Sequence, residues 1–218
     1  MGNIQNAVKL DFYIVKSIYR MAVLTYLISI LFGIIAQPII PIFLIMVFGV
    51  FFSGMVFSVY EKNHLNKLYG ILSLRKSDVI IGRYLYAFLF GIVQASLAGI
   101  ISYIIFRTTE TVVDNFALTT ALSLSFIYFC FAVGLAFPIY FKFGFSKAYV
   151  FTMIPLYFIF IGAVFLSDKI NALNILKSIL LYFSGHQVMF LLSGICIGLI
   201  LFVISGILSY LVYKNSEL

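Results

Sequence analysis

This sequence predicts an all-α polytopic membrane protein with six transmembrane helices, an amino-terminal interfacial helix and a short cytosolic helix after the second span. Three observations carry that expectation. Of the 218 residues, 64% are hydrophobic and 10% charged, with a mean hydropathy of +1.17, whereas a soluble domain keeps about a quarter of its residues charged. Apolar runs follow one another along the chain, each close to the roughly 20 residues that a helix needs to cross a bilayer. The lysines and arginines gather between alternate runs, the asymmetry that sets orientation in a membrane.

The chain begins with the interfacial segment, residues 1–17. Within "NAVKLDFYIVKSIYR", Lys9, Tyr13, Lys16 and Arg20 recur at spacings of four, three and four, which places them on one helical face. Val8, Phe12, Val15 and Tyr19 form a more apolar face beside it. That pattern fits a helix lying in the headgroup region; the plainer reading is a basic extension of the first span.

Six spans follow, over Ile18–Ile35, Ile39–Tyr60, Tyr84–Phe106, Phe116–Phe141, Tyr149–Leu166 and Val188–Tyr213. Pro38 and Pro41 divide the first apolar block in two, because proline lacks the amide donor and crowds the preceding turn. With the amino terminus inside, Lys9, Lys16, Arg20, Lys62, Lys67, Arg75, Lys76, Arg83, Lys142, Lys147 and Lys214 are all cytosolic, and both termini fall on that side. Arg107, Lys169 and Lys177 lie outside, balanced by Glu110, Asp114 and Asp168. Anionic lipid accounts for the basic excess, and no nucleic acid partner is expected.

Between spans two and three lies a charged stretch, residues 61–83. Leu65, Leu68 and Leu72 fall at i, i+3 and i+7, flanked by Glu61, Lys62, Asn66 and Lys67. Such a helix presses its leucines into a groove of a partner, while a solvated loop whose bases fix topology would leave the stripe unexplained. Ser77 and Asp78 are placed to cap span three. On the outside, Arg107–Asn115 is a short connection, and the segment 167–187 carries an apolar stripe of Ile175, Leu176, Ile179, Leu180 and Phe183. That stripe suits a short helix or re-entrant hairpin at the outer mouth, tolerated where protein or water covers its backbone.

The chemistry missing from the sequence narrows the function. No span has an acid or base at its middle, and ion-coupled transporters usually need one there. His64 and His186 lack an acid and a serine or cysteine at catalytic spacing, so an enzyme is not expected. Gly49 and Gly54 have the spacing of a phosphate-binding loop, but Met55 stands where its lysine belongs, so ATP is not bound by that device. Cys130 and Cys196 sit in apolar runs, where cysteine behaves as a small hydrophobe; neither a disulfide nor a metal site is expected. Within the spans, Gln94 needs a partner for its amide, either on another helix or in a lined path. Gly194 and Gly198 form a small-xxx-small pair suited to close helix packing.

The stretch "EKNHLNKLYGILSLRKSDVIIGRYLY", Glu61 to Tyr86, with its acid-led start, leucine helix and Gly82-Arg83-Tyr84 entry to span three, resembles permease subunits of type-2 ATP-binding-cassette (ABC) exporters. The order of interfacial helix, six spans and charged loop extends the likeness over nearly the whole chain. The family's usual proline after the leucine helix is replaced by Ser73. The likeness is greatest to small Gram-positive permeases such as those exporting phenol-soluble modulins. It implies a second permease copy in a homodimer, or pairing with a homologue, together with a separate cytosolic ABC ATPase that binds ATP and Mg, and no cofactor in this chain. It further implies that Glu61, Lys62, His64, Leu65, Leu68 and Leu72 form the ATPase-coupling surface and that an amphipathic or hydrophobic substrate leaves the cell. The competing reading is a membrane scaffold or immunity protein that recruits a partner without transporting.

Overall fold

A computed structural model describes residues 2–16, 19–63, 75–109, 115–152 and 186–214. Among these every regular element is helical: α1 (Gly2–Val15), α2 (Tyr19–Ile35), α3 (Ile40–Lys62), α4 (Lys76–Thr109), α5 (Asn115–Phe143), α6 (Phe145–Thr152) and α7 (Gln187–Lys214). Four of them, α3, α4, α5 and α7, are long and apolar enough to cross a membrane. At 17 residues, α2 rises only about 26 Å, slightly less than the hydrocarbon thickness. The fifth expected span lies outside the described residues beyond Thr152, as does the outer-mouth segment up to Phe183.

The proline break falls where expected. Helix α2 ends at Ile35, Ile40 donates to the Gln37 carbonyl at 3.1 Å, and Pro41 occupies the first turn of α3, where its missing donor costs nothing. Gly33 lets the two helices meet, since a Cβ there would lie 2.5 Å from Pro41 Cγ.

Side-chain pairs give the directions of the helices. Tyr26 of α2 meets Gln94 of α4, and Gly33 abuts Ile105, so α2 and α4 run parallel. Helix α3 runs against α4, with Gly49 beside Gln94 and Phe57 beside Arg83. Helix α5 also opposes α4, pairing Phe126 with Phe88 and Phe137 with Tyr84. Helices α5 and α7 run parallel: Phe116 meets Phe190, Cys130 meets Gly198, Gly134 meets Ser205, and Phe141 meets Tyr213. Phe143 and Gln187 therefore sit at opposite ends of that pair.

The long helices α3, α4, α5 and α7 have almost uniformly apolar circumferences, the mark of segments surrounded by protein or lipid. Packing is consequently decided by small residues. Cβ atoms at Gly194 and Gly198 would lie 2.2 Å from Ser123 Oγ and 2.8 Å from Cys130 Sγ, so the α5–α7 seam exists because these positions carry hydrogen alone. Ser205 Oγ donates to the Gly134 carbonyl across the same seam, and Ser123 Oγ to the Phe190 carbonyl at 3.2 Å. The aromatic core, including Phe52, Phe57, Tyr86, Phe129 and Phe137, fills the space between α3, α4 and α5. Leucines and isoleucines of α2 and α7 point outward.

Helix α4 corrects one expectation. Its 34 residues rise about 51 Å, far more than a bilayer core requires. The last eight residues of the expected cytosolic stretch, 76–83, are its first two turns. Ser77 and Asp78 accordingly lie inside the helix and do not cap it; the Arg75 carbonyl accepts from Asp78 N at 2.9 Å and from Val79 N at 3.2 Å. Asp78 still favours the helix electrostatically, as an acid in the first turn.

Candidate functional site

The C-termini of α3, α5 and α7 meet the N-terminus of α4 at one end of the bundle, which also holds Lys62, Arg75, Arg83, Lys142 and Lys214. At this basic end α1 packs along the first turns of α4. A Cβ on Gly82 would stand 2.7 Å from Ala7 Cβ, so glycine is what allows the two backbones to approach. One turn further, Phe12 meets Tyr86 edge-on at 4.8 Å between centroids. The buried stripe of α1 is Ala7 and Asp11, while Lys9, Tyr13 and Lys16 are exposed on the other side, with the Lys16 ammonium 5.6 Å from the Tyr13 ring centroid. Arg20 does not extend that face, because the chain changes element after Lys16 and Arg20 belongs to the first turn of α2.

Arg83 is the centre of the site. It is 3% exposed, and its guanidinium carbon lies 4.1 Å from the Phe57 ring centroid, 4.5 Å from that of Tyr60 and 5.3 Å from that of Phe141. Cation–π contacts of this kind return about 0.5–2 kcal/mol each, which offsets part of the desolvation of the charge. Ring faces accept no in-plane hydrogen bond, and among the described residues Nε and Nη2 have no hydrogen-bond partner. Beside Arg83 lies a cavity of about 290 Å³ lined also by Tyr60, Glu61, Tyr140, Phe145 and Tyr213.

Asp11 brings a second buried charge from α1. It is 1% exposed, and among the described residues Oδ1 has no hydrogen-bond partner. Burial pushes its carboxyl up to about 6, with the Arg83 guanidinium pulling the other way. The folded value exceeds the usual one of about 4, so the docked state binds the extra proton. Docking of α1 should therefore be strongest at low pH and weaken as pH rises through about 4 to 6, by on the order of 2–3 kcal/mol in all. Asp11→Asn removes that titration. At pH 7.5 the amides of α1 should exchange about tenfold or more slowly in Asp11→Asn than in wild type, and the two proteins should converge only below about pH 4, as read by hydrogen exchange.

Glu61, in the last turn of α3, is exposed, and its Oε2 accepts from Ser146 N at 3.0 Å. The carboxylate thus faces the positive end of α6. Gly144, at φ +77°, makes the turn between α5 and α6, with its amide on the Tyr140 carbonyl at 3.0 Å; only glycine enters that region without strain. Lys62 is exposed at the C-terminus of α3, where a cation is favourable. His64, Leu65, Leu68 and Leu72 lie outside the described residues.

The remaining sequence candidates, Gln94, Gly194 and Gly198, lie at contacts between helices. Gln94 is 2% exposed and its Oε1 accepts from the Tyr26 hydroxyl at 2.6 Å, a bond between α2 and α4. Gly194 and Gly198 serve the α5–α7 seam within one chain. Among the described residues no three His, Cys, Asp or Glu side chains are grouped to hold a metal.

Sequence reasoning did not bring Asp11 and Arg83 together, since Arg83 was assigned to topology. The available signal was the placement of Asp11 one turn after Ala7, on the face opposite Lys9 and Tyr13. The assembled arrangement is mechanical: it fastens α1 and the end of α3 to the helix that follows the charged stretch. The family model for ABC-2 family transporter protein matches residues 6–214. No curated protein and no solved structure matches the chain.

Proposed function

The chain belongs to the ABC-2 family of transporter proteins, as a membrane permease component, and from that premise we propose that it is the permease of an exporter driven by a separate ATPase chain. In this reading the protein sits in the cell membrane with both termini cytoplasmic and pairs with a second copy of itself. It moves an amphipathic or hydrophobic substrate outward, with cytolytic peptides as the leading class. ATP and Mg are bound by the partner ATPase.

The observation that carries the proposal is the fastening at the basic end. Helix α1 packs on the first turns of α4 through Ala7–Gly82 and Phe12–Tyr86, and α4 directly continues the charged stretch. A push on residues 61–75 therefore reaches α4, and with it α1, as one body. Glu61 and Lys62 lie at the entry to that stretch, and Leu65, Leu68 and Leu72 form the face that docks on the ATPase, with His64 beside them.

The test compares two neighbouring alanine substitutions. Truncating a leucine buried in a packed interface costs about 2–4 kcal/mol, more than tenfold in affinity, whereas a rim charge is worth under about 1 kcal/mol. Leu68→Ala should strip the ATPase from the purified permease while Lys67→Ala leaves it bound, with membrane levels of the permease unchanged. An intact, coupled complex with Leu68→Ala would remove the leucine face from the account. A scaffold would bind its partner without substrate-stimulated ATP hydrolysis, which separates the two readings.

A further inference from the structure

The position of Arg83 carries more than a fastening role. It stands early in α4, at the end of the bundle that also holds Lys62, Arg75, Lys142 and Lys214. It is buried among three aromatic rings, two of its donor nitrogens lack an acceptor among the described residues, and it lines the cavity of about 290 Å³. A guanidinium offers five donors in a planar fork that matches the oxygens of phosphate. Leaving a buried charge without acceptors is strongly unfavourable, and the rings satisfy its faces without reaching its edges.

We propose that this cavity is a phosphate site, in which Arg83 donates to the oxygens of a phosphate group carried by an anionic phospholipid headgroup or present as the free ion. The acids nearby do not neutralise the arginine fully. Glu61 is committed to the Ser146 amide at the N-terminus of α6. Asp11 makes no hydrogen bond through Oδ1 among the described residues. The rim tyrosines and Phe145 give the headgroup an apolar collar. Glu61 on the cavity wall is the one unfavourable element, and it supplies a second handle for the test.

The full chain is placed in nanodiscs of phosphatidylcholine alone or with phosphatidylglycerol, and the phosphatidylcholine discs are also titrated with inorganic phosphate against chloride at constant ionic strength. Thermal midpoint is the readout. A rise with phosphatidylglycerol alone assigns the headgroup as the source; a rise with inorganic phosphate assigns the free ion. Either rise should disappear in Arg83→Gln and be diminished in Arg83→Lys, which keeps the charge but loses the fork. Glu61→Gln keeps an acceptor for Ser146 and removes the repulsion, so apparent affinity for whichever probe acts should rise about threefold. That variant decides the matter if Arg83→Gln does not fold. No rise with either probe, a rise that survives Arg83→Gln, or an affinity unchanged or weakened by Glu61→Gln overturns the proposal.

Discussion

Gly91→Val is expected to be the most damaging single substitution in the bundle, lowering stability by about 3 kcal/mol or more. A Cβ at Gly91 would lie 2.4 Å from Phe129 Cε1 and 2.9 Å from Cδ1. The ring cannot retreat, because Phe129 is fully buried, faces Gly49 on the opposite side and stacks on Phe126. Interiors packed this closely convert an added methyl into backbone displacement. The thermal midpoint in detergent should fall by roughly 6–12 °C for a chain of this size. The cause is checked by a double variant. Gly91→Val in a Phe129→Ala background should cost far less than it does in wild type, since the cavity left by the ring accommodates the new side chain. Additive losses would mean that Gly91 matters for a reason other than the Phe129 ring.

Gly82→Leu should act on a different link. Its Cβ would meet Ala7 Cβ at 2.7 Å, a contact between two atoms fixed to helical backbones, so neither can rotate away. Helix α1 is then forced off α4, which separates Phe12 from Tyr86 and returns Asp11 to water. Hydrating Asp11 recovers part of its burial penalty, so the bundle itself should lose less stability than with Gly91→Val. The expected signature is local: amides of residues 5–15 should exchange at least about a hundredfold faster, while those of α5 and α7 keep their protection. If α1 and α4 transmit the ATPase stroke together, the assembled transporter should hydrolyse ATP but lose most of its transport. Full transport with α1 detached would restrict the stroke to the charged stretch alone.

Hydropathy made the long helices legible because each apolar run is close to a bilayer thickness, and Pro38 and Pro41 punctuated the first block correctly. Faces were another matter. Helices that are apolar all round carry no stripe to say which side meets protein, so the α5–α7 seam could be suspected from Gly194 and Gly198 but not paired with Ser123 and Cys130. Gln94 announced that it needed a partner; Tyr26, 68 residues away, could not be read from spacing. The start of α4 was misplaced because Lys76, Asp78 and Arg83 look like loop charges, although a helix can run well beyond the hydrocarbon core on either side. The Asp11–Arg83 centre was hidden for a related reason. Charges near a membrane surface are normally assigned to orientation, and only the long-range packing of α1 on α4 reveals that these two are buried.

The central claim is that this permease is energised by a separate ATPase chain, and affinity purification of the full chain from its native membrane in mild detergent tests it most directly. The account predicts that a chain with a phosphate-binding loop co-purifies at one copy per permease. The recovered complex should hydrolyse ATP, and replacing that loop's lysine should abolish hydrolysis and substrate export together. Recovery of a fully functional permease with no ATPase chain, or export that continues after the lysine is replaced, would contradict it.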